Sequence, residues 1–392
     1  MSELDDVMGA PKKAQNAAGE KLLRVENLSV DFPTEDGTVH AVRDVSFTLG
    51  AGEVLGIVGE SGSGKSVSSM AVMGLLPKTA KIGGSIKFRE QELVGRSYKG
   101  MQPVRGNNIA MIFQDPMTSM NPVYTVGWQL AEAYRAHHKV SKKAALAKAV
   151  EALELVGIPQ PDRRAQQYPH EFSGGMRQRV MIAMAIINDP DVIIADEPTT
   201  ALDVTVQAQI LDTLLRIRDE TNAGIMIITH DLGVVAGMVD RVQVMYGGTV
   251  VEQGGVDEVF EAQRMPYTVG LIGSIPNPQM LGRRLTPIKG TPPSLMNLPK
   301  GCPFSPRCPL AVDQCRETEP LLLETDRANH FARCHRSAHL ATIPNPQRLF
   351  ATEEIGVVEN PAALTAANPG IPVIEDAAAV EARLHEGENP TS

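Results

Sequence analysis

Gly59-Glu60-Ser61-Gly62-Ser63-Gly64-Lys65-Ser66 follows directly on the apolar run Val54 to Val58 and precedes a helical run from Val67 to Leu76. The octet fits G-x-x-x-x-G-K-[ST] in the strand-to-helix setting that gives the pattern its meaning. The glycines let successive backbone N–H groups turn inward around phosphate oxygens, and the start of the following helix adds the positive end of its dipole. Lys65 supplies a mobile point charge to the β and γ phosphates of a nucleotide, and Ser66 places its hydroxyl on Mg2+.

Outward from this loop, Ile109 to Phe113, Val192 to Ala195 and Ile225 to Thr229 are further short apolar runs closed by polar or Gly residues. They read as buried strands. Between them lie helical patterns: Leu146, Val150, Leu153 and Val156 share one face before Gly157, and Val206, Ile210, Leu214 and Ile217 share another. Strands alternating with helices imply an α/β fold with a largely parallel sheet. The run Val192-Ile193-Ile194-Ala195 delivers Asp196 and Glu197 at its C-terminal end, where such sheets bind ligands. By itself Asp-Glu after a strand is a common solvated turn. Beside a phosphate loop, Asp196 suits the Mg2+ shell and Glu197 suits the base that polarises water for attack on the γ-phosphate.

Phe172-Ser173-Gly174-Gly175-Met176-Arg177-Gln178-Arg179 ends 17 residues before Asp196. This segment resembles the signature of the ATP-binding cassette (ABC) family, which usually begins Leu-Ser-Gly-Gly-Gln; here Phe172 and Met176 replace the flanking residues. Ser-Gly-Gly opening the helical run Met176 to Ile187 makes a second anion-binding helix N-terminus. The family marks continue in order with Gln114 ending its strand, with Ala201-Leu202-Asp203, and with His230 after Ile225 to Thr229. The resemblance implies two cassettes packed head to tail, with Ser173, Gly174 and Gly175 of one closing on the ATP of the other. It implies a catalytic group of Glu197, His230 and Gln114, Mg2+ held through Ser66, Gln114 and Asp196, His230 on the γ-phosphate and Asp203 communicating across the dimer. ATP would lie against Gly59, Glu60, Ser61, Gly62, Ser63, Gly64, Lys65, Ser66 and Val67. Phe32, 33 residues before Lys65, is placed to stack on adenine, with Val39 or His40 as alternatives.

The loop with its following Val67, the run Gln114-Asp115-Pro116-Met117-Thr118-Ser119-Met120-Asn121-Pro122 and the C-terminal portion narrow the likeness. Together they are similar to the oligopeptide/dipeptide importer ATP-binding subunits of prokaryotes. That family's C-terminal portion opens His-Pro-Tyr-Thr, where this chain has Met265-Pro266-Tyr267-Thr268; Gly301-Cys302-Pro303-Phe304-Ser305-Pro306-Arg307-Cys308 and Arg333-Cys334-His335 fit well. Cys302, Cys308, Cys315 and Cys334 have no C-x-x-C knuckle, a poor match to zinc ribbons, yet four thiolates can surround one cluster. The resemblance implies a structural [4Fe-4S] cluster here; zinc, unligated thiols and disulfides stay open, with His330 and His335 as bystanders. It also implies two transmembrane permease subunits, a second ATP-binding subunit, equal or different, and an extracytoplasmic peptide-binding protein. Gln114 to Trp128 would form the groove for a cytoplasmic helix of a permease, unless Trp128 packs in the core. Nickel chelates or glutathione are alternative cargoes, since cassettes do not touch cargo. A soluble cassette of DNA repair or translation would call for two cassettes in one chain, a coiled-coil insertion or basic surfaces, none of which is seen.

Composition agrees. With 392 residues, 43% hydrophobic, the chain is long enough for two or three structural units and a core without staples. Net charge is -9, but the stretch from Ala341 carries eight acidic against two basic residues, so the body is near neutral and unsuited to broad nucleic-acid binding. The longest apolar run, Val180 to Ile187, is far short of the ~20 residues of a membrane span. The expected organisation is a flexible leader over 1–21 that is neither signal nor transit peptide, and an ABC nucleotide-binding domain over 22–262. The latter is a P-loop NTPase mixed-sheet core with a helical subdomain at about 115–175. A small Cys-rich C-terminal module over 263–338 follows, then an acidic disordered tail over 339–392. With no transmembrane segment, the expected location is peripheral, on the cytoplasmic face of the plasma membrane.

Overall fold

Parallel strands covered by helices on both faces can be apolar at every position, and the short runs on either side of the phosphate loop do this. In the computed structural model, which describes residues 16, 19–200, 202–274 and 287–350, they lie in one sheet of eight strands. The leader through residue 15, Ala201 and residues 275–286 and 351–392 lie outside the described residues. The sheet order is Leu323–Glu324, Phe331–Ala332, Thr249–Gly255, Arg241–Tyr246, Val54–Val58, Gly224–Thr229, Val192–Asp196, Ile109–Ile112. Neighbours from Arg241–Tyr246 to Ile109–Ile112 are parallel, and the others are antiparallel, so the sheet is mixed. Alternate residues feed two cores: Val54, Val58, Ile193, Ala195, Ile225 and Ile227 face one, and Leu55, Ile57, Val192, Ile194, Met226 and Ile228 the other. Each such fully buried branched side chain contributes roughly 1.5–3 kcal/mol, which fixes the register of the strand ends that carry the site.

A second, wholly antiparallel sheet was not foreseen. Its order is Gly37–Gly50, Lys21–Thr34, Lys81–Phe88, Gln91–Glu92. Register shifts between Val25 and Leu28, where Asn27 takes φ 48°, break the apolar alternation that would have announced the long first strand.

Between Ile109–Ile112 and Val192–Asp196 the chain is helical: Pro116–Ser119, Val126–Arg135, Lys142–Leu155, Pro161–Arg164, the 3-10 turn Pro169–Glu171 and Gly174–Ile186. The helix Lys142–Leu155 corrects one expectation. It buries Ala145, Ala149, Ala152 and Leu153, whereas Leu146 is 44% exposed. Small Ala side chains let this helix approach Val126–Arg135 closely, a gain the larger Leu146 would forfeit. The helix Val204–Thr221 buries Ile210, Leu214 and Ile217 as its spacing predicts, with Val206 half-buried against the same core.

After the helix Pro266–Gly273, residues 287–350 pack back onto the sheet, and the strands Phe331–Ala332 and Leu323–Glu324 extend its Thr249–Gly255 edge. Behind that edge Glu252 and His330, both fully buried, share a 2.8 Å bond between Oε1 and Nε2. Among the described residues no helix is long and apolar enough to cross a membrane.

Candidate functional site

The phosphate loop leaves the C-terminal end of Val54–Val58, where Gly59 takes φ 150° and a Cβ would stand 2.2 Å from the Met245 carbonyl oxygen. Only glycine fits there. The loop closes on itself through the Ser63 N–H to the Glu60 carbonyl at 3.2 Å, and the Gly248 N–H ties it to the neighbouring strand through the Ser63 carbonyl at 3.2 Å. Gly64, left-handed at φ 101°, starts the helix Lys65–Met73 with no side-chain cap. Its first N–H groups are therefore offered to an anion rather than to a Ser or Asp oxygen. Lys65 is nearly buried and donates from Nζ to the Gly59 carbonyl at 2.7 Å and the Glu60 carbonyl at 2.9 Å. Burial pulls its pKa below the usual lysine value, against the pull of Glu197, Asp196 and Glu60.

Two strands further along, Val192–Asp196 ends beside this loop. Ser66 Oγ donates to Asp196 Oδ1 at 3.0 Å, the pair of hard oxygen ligands that Mg2+ prefers. Burial raises the Asp196 pKa, with the Ser66 bond working the other way. Glu197 adopts left-handed backbone at φ 48°, which for a non-glycine residue carries strain of about 1–2 kcal/mol. Its N–H is anchored to the Ile228 carbonyl at 2.8 Å. The carboxylate is then gripped from three elements: Gln114 Nε2 donates to Oε2 at 2.7 Å, Thr200 Oγ1 donates to Oε2 at 2.9 Å, and His230 Nδ1 lies 3.3 Å from Oε1. So Gln114, Asp196, Glu197 and His230, spread over 117 positions of sequence, meet at adjoining strand ends next to Lys65 and Ser66. A carboxylate held this way can take a proton from water, while the loop, the uncapped helix and Lys65 balance phosphate charge.

Ser173 caps its own helix, accepting from the Met176 N–H at 3.4 Å. A Cβ on Gly175 would meet Val206 Cγ1 at 2.7 Å, whereas one on Gly174 would meet nothing within 4 Å. Asp203 caps the helix Val204–Thr221 by accepting from the Val206 N–H at 3.0 Å. Phe32 and Val39 are cross-strand partners, so these two candidates for the adenine contact share one face; His40 faces the other way, bonded through Nδ1 to Asp31 at 2.7 Å. Trp128 is not a core residue: it is 45% exposed and stacked on Tyr124 with ring centroids 4.0 Å apart.

Cys302, Cys308, Cys315 and Cys334 line one small, largely apolar cavity with Met265, Phe304, Leu310 and His335. None of the four is paired in a disulfide. Burial pushes Cys302 and Cys308 up to about 11 and Cys334 up to about 12. Among the described residues no group of three His, Cys, Asp or Glu side chains is spaced to hold a metal ion. His330 is committed to Glu252, and His335 Nε2 to the Thr318 carbonyl at 2.9 Å.

Sequence reasoning missed three residues at the loop and at Glu197. Tyr267 accepts from the Glu60 N–H at 2.8 Å, Arg307 forks onto the Glu60 carboxylate at 2.7 and 2.9 Å, and Thr200 bonds Glu197. Nothing local signals Tyr267 or Arg307, which lie 207 and 247 positions from Glu60.

Comparison with known proteins places this geometry. Residues 42–200 match the family model for ABC transporters, and residues 251–315 match that for the oligopeptide/dipeptide transporter C-terminal region. The chain is 56% identical over 318 residues to the oligopeptide transport ATP-binding protein OppD of Mycobacterium tuberculosis (strain ATCC 25618 / H37Rv), a match covering 81% of this chain and 52% of that one. It thus spans about half the length of the mycobacterial relatives it matches. It is 55% identical to the dipeptide transport ATP-binding protein DppD of Bacillus subtilis (strain 168), covering 77% of this chain and 90% of the relative. Among solved structures, cbiO1 from Clostridium perfringens, part of the ABC transporter complex cbiONQ, aligns with a TM-score of 0.54 at 30% identity over 64% of this chain and 95% of its own. The cassette MJ0796 bound to ADP and Pi aligns with the same score at 23% identity over 60% of this chain and 99% of its own, which speaks to fold alone. The cassette fold, the uncapped phosphate helix and relatives matched over nine-tenths of their length agree: the chain belongs to the family of ATP-binding proteins of oligopeptide and dipeptide ABC transporters.

Proposed function

We propose that the chain is the ATP-hydrolysing subunit of a peptide importer. One observation carries this: a carboxylate, Glu197, held by Gln114, Thr200 and His230 directly beside the Ser66–Asp196 pair and the phosphate loop. In this mechanism the loop Gly59 to Val67 binds the triphosphate, and Phe32 with Val39 backs the adenine. Lys65 gives up its loop carbonyls for the β and γ phosphates, and Glu197 Oε1 takes the proton of the attacking water. His230, on the same oxygen, steadies the γ-phosphate side. Ser66, Asp196 and the Gln114 amide oxygen would hold Mg2+, which supplies charge neutralisation to the phosphates when bound. The N-terminus of Gly174–Ile186, with Ser173 and Gly174 open to solvent, closes on the nucleotide of a second ATP-binding subunit, and Asp203 stands next to that closure.

The partners are two membrane-spanning permeases and an extracytoplasmic binding protein, with this chain peripheral on the cytoplasmic face. Exposed Val123, Tyr124 and Trp128 beside Gln114 to Pro122 support a permease groove there, because contiguous apolar surface marks contact sites. Peptides are favoured over nickel chelates or glutathione because the relatives' names specify oligopeptides and dipeptides. The four thiols lining one small apolar cavity are soft donors of the kind an iron–sulfur cluster takes, with zinc as the alternative. Such a cluster would pin residues 302–334 and supply no step of hydrolysis.

The test is ATP hydrolysis by the chain co-purified with its permeases in lipid, with and without binding protein loaded with a mixed peptide pool. Stimulation by the loaded protein is expected. Hydrolysis indifferent to peptide would transfer the cargo to another class, and failure of the wild-type chain to capture permeases would reject the transporter role.

A further inference from the structure

We propose that Arg307 and Tyr267 are positioning residues for the phosphate loop, and that the affinity of the site for nucleotide is set from the C-terminal part of the chain through Glu60. The inference rests on the phosphate-site reading of Gly59 to Ser66.

Glu60 is an awkward residue for its place. It puts a carboxylate in the second position of a loop that receives a polyanion, and like charges at such range repel by several kT unless one is cancelled. The structure cancels it. Arg307 donates from Nη1 to Oε2 at 2.7 Å and from Nη2 to Oε1 at 2.9 Å, the planar bidentate geometry that only arginine offers. The guanidinium side chain is 6% exposed. Its remaining donors are used by Tyr246 OH at 3.2 Å, the Lys289 carbonyl at 3.1 Å and the Ile288 carbonyl at 3.3 Å. It also lies 5.8 and 5.9 Å from the ring centroids of Tyr246 and Phe304. Those rings and Tyr267 contact one another at 4.5 to 5.4 Å. A cation fixed on so many sides does not follow Glu60; Glu60 follows it.

The backbone of Glu60 is held at the same time. Its N–H donates to Tyr267 OH at 2.8 Å, and its carbonyl accepts from Lys65 Nζ at 2.9 Å. Both sides of one residue in the loop are thereby set. Without Arg307, the freed carboxylate would turn to Lys65, whose charge it already influences, and would compete there with phosphate. Arg307 is itself placed by the turn between Cys302 and Cys308, closed by Ser305 N–H to Cys302 carbonyl at 2.9 Å and Arg307 N–H to Phe304 carbonyl at 2.9 Å. The cysteine-bearing stretch is thus mechanically continuous with the phosphate loop.

The test uses the full chain and measures MgATP dissociation constants by equilibrium titration, with near-ultraviolet circular dichroism and a melting curve for each variant. Arg307→Met is expected to weaken binding about ten-fold. Adding Glu60→Gln to it should restore affinity to within about two-fold of wild type, because the repelling charge is then gone. Glu60→Gln alone removes the carboxylate through which Arg307 acts, so Arg307→Met should change affinity by less than about two-fold in that background. Tyr267→Phe should weaken binding about five-fold, as for one lost hydrogen bond. A double variant as weak as Arg307→Met would show that Arg307 acts through packing only and overturn the proposal. So would Tyr267→Phe binding MgATP as tightly as wild type, a result available even if Arg307→Met does not fold. Wild type failing to bind MgATP, or binding it unchanged after Lys65→Ala, would overturn the phosphate-site reading and the clamp with it. Lys65-dependent binding unaffected by Arg307→Met would overturn the clamp alone.

Discussion

Glu197→Gln separates chemistry from structure at this site more cleanly than any other single change. The two donors on Oε2, Gln114 Nε2 at 2.7 Å and Thr200 Oγ1 at 2.9 Å, both find an acceptor in the glutamine carbonyl placed at the same point. The amide nitrogen then falls at the Oε1 position, 3.3 Å from His230 Nδ1, which accepts once the imidazole carries its proton on Nε2. All three contacts survive, and the left-handed backbone at φ 48° is no worse for glutamine than for glutamate. Stability should change by less than about 1 kcal/mol, the scale of one charge-assisted bond weakened to a neutral one. What is lost is the ability to take a proton, worth about 10²- to 10⁴-fold in rate, or about 3–5 kcal/mol at the transition state. Steady-state phosphate release by the assembled transporter should therefore fall at least a hundred-fold, with MgATP affinity preserved and a raised melting temperature in ATP from the trapped complex. Turnover within about three-fold of wild type would refute the role of Glu197 as base, and loss of ATP affinity would refute a grip that tolerates the amide.

Four further outcomes follow from the geometry. Gly59→Ala places a methyl 2.2 Å from the Met245 carbonyl oxygen and should cost about 2–4 kcal/mol, seen as a lower melting temperature together with lost MgATP binding. Gly174→Ala meets nothing within 4 Å in its own chain and should leave the melting curve unchanged while lowering ATPase of the assembled complex, whereas Gly175→Ala collides with Val206 and should lower both; normal ATPase in Gly174→Ala would argue against closure on a second subunit. His330→Ala removes one of the two hydrogen-bond partners of the fully buried Glu252 Oε1, leaving the Arg264 N–H, and should cost about 1–3 kcal/mol in chemical denaturation. Arg264 holds Asp326 well below the usual carboxylate range, at about 2, so this pair contributes fully above pH ~4 and its contribution is lost as pH falls through 2; because Asp326 is largely exposed, Asp326→Asn should cost under about 1 kcal/mol at pH 7 and progressively less as pH falls through 2.

What the sequence made legible was whatever is local or repetitive. Val54 to Val58 and Val192 to Ala195 announced themselves because both faces of a parallel strand are buried, so no polar residue interrupts them. Each motif residue of the site sat at the end of such a run, and the sheet then brought the ends together. The antiparallel sheet stayed hidden because its first strand alternates burial only between irregularities, and Leu146 misled because an alanine stripe, poor in hydrophobic signal, was the true buried face. The grip of Arg307 and Tyr267 on Glu60 had no signature of this kind, whereas Thr200 stands only three residues from the Glu197 it bonds. Hydrogen bonds between distant segments depend on where the chain returns, and no spacing records that.

The two short strands Leu323–Glu324 and Phe331–Ala332 have a practical side. They occupy the margin of the main sheet at Thr249–Gly255, pairing Glu252 with Ala332 and Gln253 with Phe331. A chain cut back to the nucleotide-binding portion would expose that row of amide and carbonyl groups. Such a bare margin recruits strands from other molecules. The segment after residue 320 therefore doubles as a guard against self-association, and a trimmed cassette would be expected to precipitate from concentrated solution where the longer chain stays dispersed.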